Sequence, residues 1–230
     1  MLIGTRQMLS KYNLLDVKIN DTSITKVETA KYLGIHIDSE LKWDNHIDYM
    51  CTKISKLIGF LSRLRYTVNE ANLNLIYKSI ILPHFDYGDV IWQSAPKTYL
   101  ASLQKLQNRA GRLIMKTNPF AHIPNQHIHN TLNWDFLDCR YKKHICTLVY
   151  KVIHNLSPDY MSEYINLKVS NYALRSDSIL NLPKPRTNNC KRTFFYRGIS
   201  LYNLLPAEIR NAPTLRSFQT LLDDYLKSSI

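Results

Sequence analysis

Three observations predict an α+β fold that is mainly α. Apolar residues alternate in short runs through the first fifth of the chain, as strands require. From Asn45 onward the apolar spacing changes to steps of three and four, as amphipathic helices require. Proline, glycine and asparagine clusters then cut the remainder into successive helical stretches.

The elements follow in order. Leu2–Ile3 suit the end of a strand before Gly4. Leu14–Ile19 alternate imperfectly, Asn20–Asp21 suit a hairpin turn, and Ser23–Val27 suit a return strand. Tyr32–Asp38 reads as the clearest strand, with Leu33, Ile35 and Ile37 on one face. A hairpin group this small cannot bury two faces alone. It therefore has to pack on the helices that follow, or on sheet outside these residues.

Ile47, Met50, Ile54, Leu57, Ile58, Leu61 and Leu64 form the stripe of the first long helix, with Asp44 or Asn45 as its cap. Asn69 caps a second helix that ends at Pro83, and an aromatic connection runs from His84 to Trp92. A third helix starts near Pro96 and is apolar through Leu100, Leu103, Leu106, Ala110, Leu113 and Ile114. A turn-rich stretch from Thr117 to His129 follows. The fourth long helix spans Cys139 to His154, and a short one lies around Tyr160–Ile165. Residues 166–193 have no helical period and read as a loop excursion. Buried character returns at Phe194–Gly198 and Leu201–Leu205, and Thr214 or Ser217 starts the last helix.

Length and composition limit the function classes. The 230 residues suffice for one large domain or two small ones, and 45% hydrophobic content indicates a globular chain. No apolar run reaches the roughly 20 residues of a membrane span, and no secretory leader is recognisable. Cys51, Cys139, Cys146 and Cys190 are widely spaced, which favours reduced thiols in an intracellular compartment, nucleus or cytoplasm alike. The six glycines are isolated, so no phosphate loop or dinucleotide fingerprint is present.

Three groups of possible ligands are weaker than they look. Asp38, Glu40, Asp44 and Asp48 resemble a metal cluster, but helix capping and solvation explain them better. Asp86 and Asp89 have the composition of a two-carboxylate turn, yet they lie between helical runs. His122, His127 and His129, followed by Cys139, His144 and Cys146, suggest zinc; the spacing matches no zinc motif, and packing or loop roles are favoured. No metal site is therefore assigned. Cys190 sits beside Lys191 and Arg192, which alone is no active site.

Charge carries the stronger signal. The net charge is +12, and residues 1–50 contribute −1, so the whole excess lies beyond them. Lys53, Lys56, Arg63 and Arg65 decorate the first helix, and Lys105, Arg109, Arg112 and Lys116 the third. Lys142 and Lys143 extend the set, with Lys151, Lys191, Arg192 and Arg197 as further candidates. Aligned basic faces form a track for a nucleic-acid backbone, and Tyr32, Tyr66 and Tyr141 are candidate stacking partners. The plain alternative is a solvated helical surface.

The run Lys31–Tyr32–Leu33–Gly34–Ile35–His36–Ile37–Asp38, followed by Leu41–Lys42–Trp43–Asp44–Asn45–His46–Ile47, is distinctive. It resembles reverse transcriptases of non-LTR retrotransposons (LINE elements), especially the jockey-like group of arthropod mobile elements, just beyond their catalytic core. The resemblance continues in order through Tyr77–Pro83, Phe85–Gly88, Val90–Trp92, Leu103–Ala110 and Tyr202–Arg210.

That resemblance implies an RNA-directed DNA polymerase with fingers, palm and thumb, two magnesium ions and an RNA/DNA primer–template partner. It implies that residues 1–43 are a partial palm and primer-grip region, 44–165 a thumb-like and connecting helical region, and 166–230 a C-terminal extension. Tyr32, Leu33 and Gly34 match the primer grip. The family's catalytic aspartates should precede Leu2 and match no position here. The chain is therefore expected to need no cofactor alone, whereas the complete parental polymerase needs Mg2+. The expected function is that of a truncated polymerase, inactive alone, that keeps its primer–template contacts. Two alternatives stand beside it: a thumb subunit that completes a separately encoded palm-and-fingers half, and a non-enzymatic helical protein-interaction module. Membrane binding is disfavoured.

Overall fold

The computed structural model describes residues 1–12, 17–117, 123–167 and 180–228. The fold is α+β and mainly α: antiparallel hairpins at the start, then helices. Two compact units divide it, one of residues 1–88 and 92–134, the other of 89–91 and 135–230. No helix of the described residues is long and apolar enough to cross a membrane.

The first unit opens with helix α1 (Arg6–Lys11), capped by the Thr5 hydroxyl. Leu2–Ile3 are not a strand; instead the Gly4 amide donates to the Ser39 carbonyl at 2.9 Å. Strands β1 (Lys18–Ile19) and β2 (Thr22–Ser23) pair across Asn20–Asp21, as the turn residues predict. The start of the first run, residues 13–16, lies outside the described residues.

Tyr32–Asp38 is the first large correction. It is not one strand but the end of β3 (Thr29–Tyr32), a turn at Leu33–Gly34 and the whole of β4 (Ile35–Asp38), and β3 and β4 pair as a hairpin. Both turn residues have positive φ, 46° and 83°, as a tight hairpin of right-handed twist requires. Leu33 therefore leaves the Ile35 face and is 71% exposed.

Helix α2 (Asp44–Leu64) buries Ile47, Ile54, Ile58 and Leu61 almost completely. Each such burial contributes roughly 1.5–3 kcal/mol. Its entry is held differently from the sequence expectation. Neither Asp44 nor Asn45 is the cap; Trp43 occupies that position in a left-handed conformation with no side-chain cap. The buried Asp38 carboxylate accepts the amides of Glu40, Lys42 and Trp43 at 3.0, 2.9 and 2.7 Å, which orders the loop before the helix.

Asn69 caps α3 (Glu70–Ile76), accepting from the Asn72 amide at 2.8 Å as predicted. The helix does not end at Pro83. A π turn at Tyr77–Ile81 widens the ladder, and α4 (Leu82–Asp86) continues with Pro83 in its first turn, where its missing N–H costs little. The Leu82 amide reaches the Tyr77 carbonyl across that turn. After Tyr87–Gly88, α5 (Asp89–Trp92) is a single helical turn.

Helix α6 (Lys97–Ile114) packs along α2 through Leu103, Ala110 and Ile114. The stretch read as turns to His129 contains α7 (Asn125–Leu132) instead, although residues 118–122, and with them His122, lie outside the described residues. Gly111 explains the close approach: a Cβ there would meet Ile128 at 2.4 Å. Tyr77 stacks on Trp134 at 3.8 Å, and the Trp134 indole N–H donates to Asn74 at 2.8 Å.

The second unit is built on α8 (Leu137–Ile153) and α12 (Leu215–Ser228), with the Thr214 hydroxyl accepting the Ser217 amide at the start of α12. A 3-10 helix (Asp159–Tyr164) matches the short helix expected there. Between them come α9 (Asn188–Lys191), α10 (Phe194–Asn203) and α11 (Ala207–Arg210). Within the expected loop, residues 168–179 lie outside the described residues; a Leu167–Leu180 bridge and α9 are its regular features. The core is aromatic: Phe218 stacks between Tyr150 and Tyr202 at 4.4 and 6.0 Å, and the Tyr150 hydroxyl donates to the Ala212 carbonyl at 2.8 Å. Residues 229–230 lie outside the described residues.

Candidate nucleic-acid interface

In the first unit the β3–β4 turn, α2 and α4 enclose a cleft of about 460 Å³. Lys31 and Gly34 come from the hairpin; His46, Tyr49, Met50, Lys53 and Ile54 come from α2; Pro83, His84 and Tyr87 come from α4 and its end. The Tyr87 hydroxyl donates to the Leu33 carbonyl at 2.7 Å and ties the turn to the helix. Of the consecutive residues Tyr32, Leu33 and Gly34, the first two are exposed at the tip and Gly34 lies on the cleft wall.

The electrostatics of the cleft are set by two lysines and two depressed imidazoles. Burial, with a smaller contribution from His36, lowers the His46 pKa to about 4. The His36 amide approaches His46 Nδ1 at 3.3 Å, so Nδ1 is the accepting nitrogen. Partial burial and then the Lys53 charge also lower the His84 pKa. Positive charge at neutral pH therefore comes from Lys31 and Lys53. Lys31 lies over the Tyr49 ring at 5.7 Å, which places a cation and an aromatic face side by side. In single-strand-binding proteins such cation-and-aromatic pairs hold sugar–phosphate and unstacked bases.

Helical spacing aligns the basic residues. Lys53, Lys56, the exposed Phe60 and Arg63 recur at steps of three, four and three, forming one stripe along α2. It spans about 15 Å, roughly four nucleotides of one duplex strand. Lys105, Arg109 and Arg112 form a second stripe on α6, and Lys116 follows just past its end in a left-handed conformation. Arg65 folds over Tyr66 at 5.4 Å, and Arg112 donates to Asn125 at 2.7 Å, so both are less free than their neighbours.

Lys142 and Lys143 belong to the second unit, and their charges are answered there. Lys142 pairs with Asp138 at 2.7 Å, and that hydrogen bond raises its pKa. Lys143 bridges Asp135, at 2.8 Å, and Asp223; partial burial opposes its charge, but the two carboxylates still hold its pKa up. Tyr66 is 82% exposed, whereas Tyr141 is buried beneath the Arg197 guanidinium and is not available for stacking.

His129 and the acidic residues Asp38, Glu40 and Asp44 have structural partners. His129 is buried and bonded to Asn108 at 2.8 Å, while His127 is exposed. Among the described residues, His127, His129, Cys139 and Cys146 form no metal-ligating trio. Burial raises the thiol pKa of Cys51, Cys139 and Cys146, the last to about 12. Asp38 holds three backbone amides, Glu40 pairs with Lys42 at 2.7 Å, and Asp44 accepts from its neighbour's amide at 2.9 Å. These carboxylates do not fit a two-magnesium centre.

Over about half its length the chain is similar to RNA-directed DNA polymerases of non-LTR retrotransposons. It is 29% identical over 119 residues to the probable RNA-directed DNA polymerase from transposon X-element of Drosophila melanogaster, covering 50% of this chain and 13% of that protein. It is 31% identical over 101 residues to the RNA-directed DNA polymerase from mobile element jockey of the same species, covering 43% and 11%. It is 26% identical over 127 residues to the Pol polyprotein of type-1 retrotransposable element R1 of Bradysia coprophila, covering 52% and 12%. The matched segment thus spans about an eighth of each of these relatives. No protein-family model and no solved structure matches the chain.

Proposed function

We propose that this chain is the post-catalytic part of a non-LTR retrotransposon reverse transcriptase: it contacts primer–template duplex and does not polymerise alone. The observation that carries this reading is the union, in one unit, of the pinned Leu33–Gly34 turn, the Lys31–Lys53 cleft and the basic stripes of α2 and α6. Residues 1–43 then act as the end of a palm with its primer grip, 44–165 as thumb and connection, and 166–230 as a C-terminal extension. Chemistry belongs to a palm bearing the catalytic aspartates, which match no position here.

A second reading, a thumb subunit completing a separate core, is favoured by the N-terminal surface. Among the described residues, none before Ile35 is buried, and Ile3, Met8, Tyr12, Val17, Ile19, Ile24 and Val27 are all exposed. Such an apolar face suits a protein partner. Primer extension on an RNA template, with and without a palm-and-fingers fragment of a related polymerase, tests both. The first reading predicts duplex binding without extension in either mixture; restored extension in the second mixture selects the subunit. Extension by the chain alone overturns the proposal. Salt-insensitive protein binding with no duplex affinity selects the interaction-module alternative.

A further inference from the structure

The second unit holds a separate cleft of about 520 Å³ between α8 and α12. Lys143, His144, Thr147, Leu148 and Lys151 line it from one face of α8; Gln219, Leu222 and Asp223 line it from α12, and Val90 completes the wall. Its size is that of sites that enclose a small organic ligand.

One side chain in it is oriented from behind. The Asp89 carboxylate, 4% exposed as a residue, lies 2.6 Å from His144 Nδ1. An ionised carboxylate only accepts, so this contact places a proton on Nδ1 and leaves Nε2 for a ligand. Sequence spacing cannot find this pair, because Asp89 and His144 stand 55 positions apart.

The neighbouring polar groups differ in their commitments. Lys143 is held by Asp135 and Asp223, and Asp223 also meets Lys227 at 3.2 Å. Partial burial opposes the Asp223 charge, but Lys143 and Lys227 lower its pKa and keep it ionised. Lys151, by contrast, has no ion pair among the described residues, and neither the Thr147 hydroxyl nor the Gln219 amide has a side-chain hydrogen bond. The cleft therefore offers one uncommitted cation, an oriented imidazole, a hydroxyl and an amide beside the apolar Val90, Leu148 and Leu222.

We propose that this cleft binds a phosphate group carried on a nucleoside. Lys151 donates to the phosphate, Thr147 and Gln219 supply further hydrogen bonds to it, His144 Nε2 accepts from one sugar hydroxyl, and the apolar wall takes the base. Asp223, ionised and already neutralised, accepts from the other sugar hydroxyl. The phosphate is that of a free mononucleotide or of a nucleic-acid strand. The assignment stands on the geometry of the second unit and is independent of the function proposed for the first.

The test is NMR titration of the isotope-labelled full chain with adenosine monophosphate, adenosine alone as the control. Adenosine monophosphate is expected to shift the His144 ring signals and the amides of Thr147, Lys151 and Gln219, while adenosine shifts them far less. Lys151→Gln, a surface change that leaves the core untouched, weakens binding about tenfold, the loss of one charge-assisted hydrogen bond. His144→Asn weakens it similarly. Competition by an unphosphorylated tetranucleotide assigns the phosphate to a nucleic-acid strand; lack of competition assigns it to the free nucleotide. Absence of shifts at the cleft, equal shifts with adenosine, or full affinity in folded Lys151→Gln overturns the proposal.

Discussion

The Tyr87 hydroxyl donates to the Leu33 carbonyl at 2.7 Å, joining two residues 54 positions apart. This bond fixes the tip of the β3–β4 hairpin against the end of α4. Leu33 itself is exposed and in the left-handed region, so neither burial nor backbone preference holds it there. Tyr87→Phe removes one neutral hydrogen bond and is expected to cost about 1 kcal/mol. Hydrogen exchange at the turn should accelerate while the helical core keeps its protection; unchanged exchange at the turn would show that the bond does not restrain it.

Two glycines should fail for different reasons. At Gly34 a Cβ would have ordinary clearance, 3.6 Å to the Tyr87 ring, but φ is +83°. Gly34→Ala therefore costs about 1 kcal/mol in backbone strain. At Gly111 the obstacle is Ile128 at 2.4 Å, and Gly111→Ala costs about 1–3 kcal/mol through overpacking of α6 on α7. Denaturant unfolding of both variants checks the values. Ile128→Ala, which removes the Cγ2 methyl that the new Cβ meets, should partly rescue the second and leave the first unchanged.

Acid should destabilise the first unit through His46. The unfolded chain protonates this imidazole near pH 6.5, whereas the folded state resists until about pH 4. The unfolded state thus binds more protons across that window, and stability falls as pH drops through it, then levels below it. The contribution amounts to roughly 3 kcal/mol. The His84 shift has the same direction. Urea midpoints measured from pH 7 to pH 4 check this, and His46→Gln should flatten the profile.

Asp38 illustrates how much of this was legible in the sequence. The alternation at Ile35 and Ile37 and the stripe from Ile47 to Leu61 gave away strand and helix, because burial on one face imposes a period. The acidic run after Ile37 pointed to capping, but spacing named Asp44 or Asn45, whereas the bent loop lets Asp38 reach three amides. The Leu33–Gly34 turn was missed because leucine is a poor residue at positive φ, and its tether, Tyr87, lies far along the chain. Pro83 ended a helix on paper, since a π turn leaves no local sequence mark. Basic residues were visible as stripes, but not which were free: the carboxylates that occupy Lys143 come from before α8 and from α12. Asp38→Ala should cost about 2–4 kcal/mol, since three charge-assisted bonds end on one side chain; thermal unfolding measures it.

Free and committed cations should separate in binding. Lys53→Glu with Lys56→Glu reverses two exposed charges on the α2 stripe and is expected to weaken duplex binding by at least about tenfold at low salt. Lys142→Gln, whose ammonium already meets Asp138, is expected to change it less than about twofold. Fluorescence anisotropy with one labelled duplex compares the three proteins.

The most direct test of the central claim is the salt dependence of primer–template binding by the intact chain and by the Lys53/Lys56/Arg63 triple charge reversal. The account predicts a linear fall of log affinity with log salt for the intact chain, about three phosphates' worth of which is lost in the variant while its fold is retained. Equal slopes in the two proteins, or no measurable duplex binding by the intact chain at low salt, would contradict it.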